Sequence, residues 1–370
     1  MLMWSNSHVS TGDEGLPKDR PRGILHKIWS GFLSYGVVVI CLVFLFTKLD
    51  GAEDMAAAFA MITASQVVII CLLGVVNLGT NLPPFVVTLP GLKFREAAVT
   101  NTASAALSNT VPEGGAIATG LNYAMLRSWG FALDDITSEV IITGTWSQMT
   151  KFSLFALSLL AVSALDSPPS GTIWFGLLLT VLVIVAAVLL ALILRSEKFA
   201  AHLGRWLDDL VRGIKHFVKR LSIPSMAAEV PKFRGQMVDR VAECWGRLTI
   251  TMVLSQLTAC FVLGVACRMQ GLDQSTIGWS VIVLAYSAVT FASLLIPTPG
   301  GLGVAEVVLV AVLSYGLPAS DQAAVLAAVI LYRIATFLVP IPIGLVTYMY
   351  WRRSTKWRHP VDSRRVVTAR

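Results

Sequence analysis

Four ionisable residues stand inside apolar stretches of this chain: Glu113, Lys151, Glu306 and Arg333. A charge facing lipid at the bilayer centre costs roughly 3 kcal/mol or more, so each should face protein or water. Two of them flank backbone breaks. Pro112-Glu113-Gly114-Gly115 follows Asn109, and Pro297-Thr298-Pro299-Gly300-Gly301 precedes Glu306. Helix starts at such breaks present N–H donors with partial positive charge, and glycine lets a ligand approach the backbone; a phosphate matches both features. The planar fork of Arg333 suits the same ligand, and Lys151 adds a second cation midway along its own span. Plainer duties stay open beside these. Gly114, Gly115, Gly300 and Gly301 with their prolines can simply close tight hairpins, and Arg333 can pair with Glu306. A pair that opens would hand Arg333 to a phosphate, so the two readings are compatible. Asn101, Asn109 and Asn122 can satisfy freed backbone groups, the commoner duty, or contact sugar hydroxyls.

The elements that must position these residues are membrane helices. Of 370 residues 55% are hydrophobic and 14% charged, and a soluble domain carries about 25% charged residues. Spans are expected over about 31–49, 58–79, 136–165, 172–194, 247–266 and 319–350, most of them meeting the ~20 apolar residues that a crossing needs. Between residues 92 and 127, and again between 278 and 315, the arms on either side of a break are too short to cross at about 1.5 Å per residue. Each is expected to enter the membrane and return on the same side. The small residues Ala97, Ala98, Ala103, Ala105 and Ala106 suit close helix contact better than lipid.

Lys18, Arg20, Arg22 and Lys27 precede the first span, and basic residues crowd the C-terminal tail, which places both ends in the cytoplasm by the positive-inside rule. A shift of 186 residues, 300 minus 114, lays Gly114-Gly115 on Gly300-Gly301, Gly130 on Gly316, Asp135 on Asp321 and Trp146 on Tyr332. Two repeats follow, about 58–165 and 244–351, each a span, a re-entrant hairpin and a long span. Counting crossings makes them inverted, with the first hairpin entering from the cytoplasm and the second from outside. The fold class expected is an all-α polytopic bundle with two re-entrant helical hairpins near the midplane. The organisation is a disordered tail over 1–29, a membrane domain over 30–351 with a cytoplasmic loop over about 195–243, and a basic tail over 352–370. Within that loop, residues 199–221 keep helical apolar spacing with basic side chains on other faces, as in a helix lying on the inner leaflet.

Several functions are disfavoured. The net charge of +7 is spread over loops beside apolar spans rather than gathered in one patch, so lipid and orientation account for it better than nucleic acid. The five cysteines lack CxxC spacing, no histidine falls in an expected span, and no Ser/His/Asp triad, Walker loop or HExxH helix occurs. Neither catalysis, a metal nor a cofactor is expected.

Asn109-x-x-Pro112-x-Gly114-Gly115, the stretch Pro297-x-Pro299-Gly300-Gly301-x-Gly303-x-x-Glu306, and Leu331-Tyr332-Arg333 resemble the flippase-like transmembrane domain of bacterial lysylphosphatidylglycerol synthases and the stand-alone membrane proteins that share it. The likeness runs from about residue 31 to 352, and its first half is looser because Glu113 stands between the proline and the glycines. In the two-domain synthases this part moves an aminoacylated phospholipid between leaflets while a cytosolic domain makes it. The resemblance therefore implies translocation, in a bacterial cell membrane, without aminoacyl transfer. A modified phospholipid or a polyprenyl-phosphate sugar is the expected cargo. One half of its head-group path would be Gly300, Gly301, Glu306, Tyr332 and Arg333; the other would be Asn109, Glu113, Gly114, Gly115 and Lys151. Two other functions remain open at this point: a non-transporting partner of a lipid synthase or glycosyltransferase, and a secondary transporter of a small anion.

Overall fold

A computed structural model describes residues 58–111, 114–165, 172–195, 226–296 and 298–354. The first span, the acidic turn at Asp50, Glu53 and Asp54, Pro112 with Glu113, the turn at 166–169, the amphipathic stretch 199–221 and the distal tails lie outside them. The described residues are helical, without strands, and four stretches are long and apolar enough to cross a membrane: Ala64–Thr88, Leu133–Leu165, Arg240–Met269 and Gln322–Arg353.

Helix α1 (Ala64–Thr80) starts at a capping box, in which the Thr63 hydroxyl accepts from Gln66 N and the Gln66 side chain accepts from Thr63 N. Expected to begin near Ala58, this span is instead broken at 62–63, because that cap takes an extended backbone. A short helix α2 (Pro83–Thr88) follows, then α3 (Phe94–Thr110) and α4 (Gly114–Ser128), which pack on each other. Next come α5 (Leu133–Leu165) and α6 (Thr172–Arg195). Helix α7 (Met226–Met269) is 44 residues, about 66 Å, and reaches well beyond the span expected over 247–266. Part of the expected cytoplasmic loop, from 226 to 243, is thus a continuous extension of a spanning helix. Helices α8 (Trp279–Leu295) and α9 (Val304–Leu313) pack on each other across a 3-10 turn at Pro299–Gly301.

The last span departs from a plain helix. Helix α10 (Gln322–Arg333) runs into a π-turn at Ile334–Leu338 before α11 (Pro340–Arg353). Pro340 has no N–H to give to the Thr336 carbonyl, and Val339 N instead reaches Ile334 O, five residues back, at 2.9 Å.

The largest core joins α1, α7, α8, α9 and α10 around Ile70, Leu263, Ile282, Leu309 and Val325. A second gathers α3, α4 and α5 around Met125, Leu126 and Ile136. The first helix of each hairpin packs on the long helix from the other half of the chain: α3 on α11, α8 on α5. Each contact carries one hydroxyl pair, Thr102 with Thr347 and Ser158 with Ser287, both at 2.8 Å. The small residues of α3 serve as expected, with Ala97, Ala103 and Ala106 buried and Gly344 of α11 set against the Thr102 carbonyl and Ala106.

The α7–α8 loop is built around Asp273. Its carboxylate accepts from the Ser275 hydroxyl, from Thr276 N and hydroxyl, and from Ser275 N, and these bonds hold it down at about 2. A depressed carboxyl stabilises the loop above its ordinary range and stops doing so as pH falls through the folded value. Protection of the Ser275 and Thr276 amides, read by hydrogen exchange, is expected to persist in acid until the pH approaches about 2. In Asp273→Ala it is expected to be absent at neutral pH.

Candidate functional site

The break between α8 and α9 is where charged groups converge. Gly300 adopts φ 55°, in the left-handed region, and turns the chain so that its carbonyl faces α10. Arg333, the last residue of α10, donates from Nη2 to that carbonyl at 3.0 Å. Its Nε lies 2.6 Å from Glu306 Oε1. That contact is an ion pair. Glu306 sits in the first turn of α9 and caps it, with Oε2 accepting from Gly303 N at 2.7 Å. The internal pair considered from sequence is therefore present. Both side chains keep a little exposure, 14% for Arg333 and 16% for Glu306, so the pair is shielded but reachable.

Phe337 completes the arrangement. Its ring lies 4.8 Å from the Arg333 guanidinium carbon. A Cβ at Gly300 would meet the same ring at 2.5 Å and the Asn109 side-chain oxygen at 3.1 Å. Asn109, at the end of α3, donates to the Phe337 carbonyl at 3.1 Å. The first hairpin thus touches the tip of the second through Asn109, and α3 packs against the 3-10 turn. Thr298, at the tip, buries a hydroxyl without a partner among the described residues.

Of the residues singled out from sequence, the structure brings Asn109, Gly300, Glu306 and Arg333 together, with Gly301 adjoining in the 3-10 turn. It places Tyr332 elsewhere, buried in the main core with Tyr286 and Cys260, because the residue before Arg333 points about 100° away around the helix. Gly114 and Gly115 divide. A Cβ at Gly114 would lie 2.7 Å from Ser108 backbone atoms, so this glycine closes the first hairpin, whereas Gly115 is exposed and opens onto free space. Lys151 is half-buried on α5 and makes no hydrogen bond or ion pair with a described residue. None of these three bonds to the Arg333 cluster. Phe337, Gly303 and Thr298 were not legible as site residues, although the i+4 spacing of Phe337 from Arg333 and the downstream Pro340 were available signals.

Leu107 and Thr110, on either side of Asn109 on α3, line a cleft of about 750 Å³ between α3, α4 and α11. Ala103, Ile117, Ile341 and Leu345 make its walls apolar.

A profile of the lysylphosphatidylglycerol synthase TM region matches residues 31–344. The chain belongs to the lysylphosphatidylglycerol synthase transmembrane-region family. The match spans both breaks, Glu306 and Arg333, and so includes the whole Arg333 cluster. Membership and the apolar helices make this a membrane protein with a lipid-related function. A search of curated proteins gives no match.

Proposed function

We propose that this chain is a lipid translocase, not an enzyme, that carries an anionic or lipid-linked head group between leaflets past the Arg333 cluster. The observation that carries this reading is the state of Arg333: a cation within the membrane domain, held by Glu306 and Gly300 at a broken-helix tip, with its side chain still 14% exposed. A phosphate oxygen that displaces the Glu306 carboxylate would take over its contact with Arg333, while the acyl or polyprenyl chain runs down the cleft lined by Leu107 and Thr110. Gly115, Lys151 and Glu113 would form the other end of the path, nearer the first hairpin. In this reading the hairpins are re-entrant, the repeats are inverted, and both chain ends lie on the cytoplasmic side of a bacterial cell membrane.

Support for the repeat comes from two correspondences. Gly130 and Gly316, related by the 186-residue shift, both take positive φ, 92° and 77°, at the end of a hairpin. The α3–α11 and α5–α8 contacts, each with its hydroxyl pair, relate the halves in the same sense.

The test is a leaflet-resolved assay on the purified protein in vesicles that carry labelled phosphatidylglycerol, lysylphosphatidylglycerol or a polyprenyl-phosphate sugar. Acceleration of at least one lipid by wild type is expected, with Arg333→Ala losing about tenfold or more. No acceleration of any of them by wild type would sink translocation. Equal rates in Arg333→Ala would instead remove the cluster from the path.

A further inference from the structure

A second set of charges lies between α5 and α7, away from the Arg333 cluster. Arg240 of α7 bonds through Nη2 to Asp135 Oδ1 of α5, while its Nη1 is buried without a partner among the described residues. One turn further along α5 stands Glu139, 1% exposed. Its Oε1 accepts from the Thr143 hydroxyl at 3.1 Å, and its Oε2 is buried and unpartnered. Asp135, Glu139, Ile142 and Trp146 share a helical face at spacings of four, three and four. Ile142 on that face packs on Val241 and Leu248 of α7, and Trp146 Nε1 donates to the Thr249 hydroxyl of α7 at 2.8 Å. Glu139 therefore sits between residues that all meet α7.

The pairs Asp135 with Arg240 and Trp146 with Thr249 advance in the same direction along both helices, so α5 and α7 run parallel where they touch. Moving α7 forward by one turn would carry Arg240 from Asp135 to Glu139. The same step would carry Thr249 from Trp146 to Thr150, another hydroxyl. Both polar contacts of the interface thus have a second partner four residues on. Thr249 and Thr150 already open onto one cavity of about 590 Å³ between α5, α6 and α7, lined also by Ser153 and Trp245.

We propose that α5 and α7 have two registers one helical turn apart, and that Arg240 changes carboxylate partner, from Asp135 to Glu139, when the bundle passes between them. Packed helix faces interdigitate in discrete steps, so a one-turn ratchet is the natural unit of such a motion, about 6 Å along the axis. Nη1 and Oε2, each without a partner among the described residues, are the two halves of the bond that the second register makes.

Cysteine cross-linking in the full-length protein in nanodiscs tests this, with linked peptides identified by mass spectrometry so that native thiols are told apart. Trp146→Cys with Thr249→Cys reports the register described here, and Thr150→Cys with Thr249→Cys reports the other. Asp135→Asn is expected to raise the second cross-link relative to the first by roughly tenfold, and Glu139→Gln to lower it by a similar factor. The Trp146–Thr249 cross-link, formed in every background, verifies folding. A cross-link ratio unmoved by either substitution, or a second cross-link absent even in Asp135→Asn, overturns the two-register reading. Each outcome is independent of whether any lipid is moved.

Discussion

Glu306→Ala is expected to unfold the protein more readily than any other single truncation in the second hairpin. Three contacts are lost at once. The carboxylate balances Arg333 at 2.6 Å, caps Gly303 N at 2.7 Å, and fixes the start of α9 at a position where Gly303 holds φ 80°. Removing one partner of a shielded ion pair costs about 3–5 kcal/mol, because the surviving charge is stranded. The cap adds about 1 kcal/mol. Unfolding of the purified protein in mixed detergent measures the change. Glu306→Gln keeps an acceptor for Gly303 N and should cost less. Glu306→Ala combined with Arg333→Met should recover much of the loss, because no buried charge remains; if the double variant is as unstable as the sum of the single ones, the pair is not the source of the effect.

Gly344→Leu is expected to separate α11 from α3. A Cβ there already overlaps the Thr102 carbonyl and the Ala106 side chain, and the neighbour is backbone that cannot turn aside. Overpacking of this kind costs about 1–3 kcal/mol even for small additions, and a leucine adds several heavy atoms. Thr102 and Thr347 would lose their 2.8 Å bond as the helices part. Gly144→Ala supplies the contrast. It lies in the interior of α5 with nothing within 4 Å of its Cβ, so it should stabilise by up to about 1 kcal/mol through helix propensity alone. The two substitutions, compared by the same unfolding measurement, separate a glycine required by contact from one that is merely tolerated.

Much of this architecture could be read from residue order because membrane helices declare themselves by length and composition. The helix of 33 residues over Leu133–Leu165 and the hairpin arms fell within a few residues of their expected limits. Local chemistry decided where the reading failed. Thr63 and Gln66 form a capping box that delays α1, and Pro340 forces a π-turn into a stretch that apolar content alone presents as one helix. The site was half legible. Charges in apolar runs pointed to Glu306 and Arg333, because an unpaired charge there is costly whatever the fold. Phe337 carried no such flag, since an aromatic residue in a spanning helix is ordinary, and Tyr332, which entered with Arg333 through the family resemblance, lies in the main core. Asn109 met Phe337 only through the packing of α3, a contact across 228 residues of chain.

The π-turn has one more result. In continuous α-helix, Arg333 and Gly344 are eleven residues apart and would come within about 20° of the same side. One surplus residue in the winding at Ile334–Leu338 offsets them by about 100°. This phase step lets a single span serve two neighbours, turning its upper half to the tip at Gly300 and its lower half to α3. The same residues wound as plain α-helix through that turn would instead bring Arg333 and Gly344 within about 20° of one side, aiming both halves at the same neighbour and leaving the other unserved.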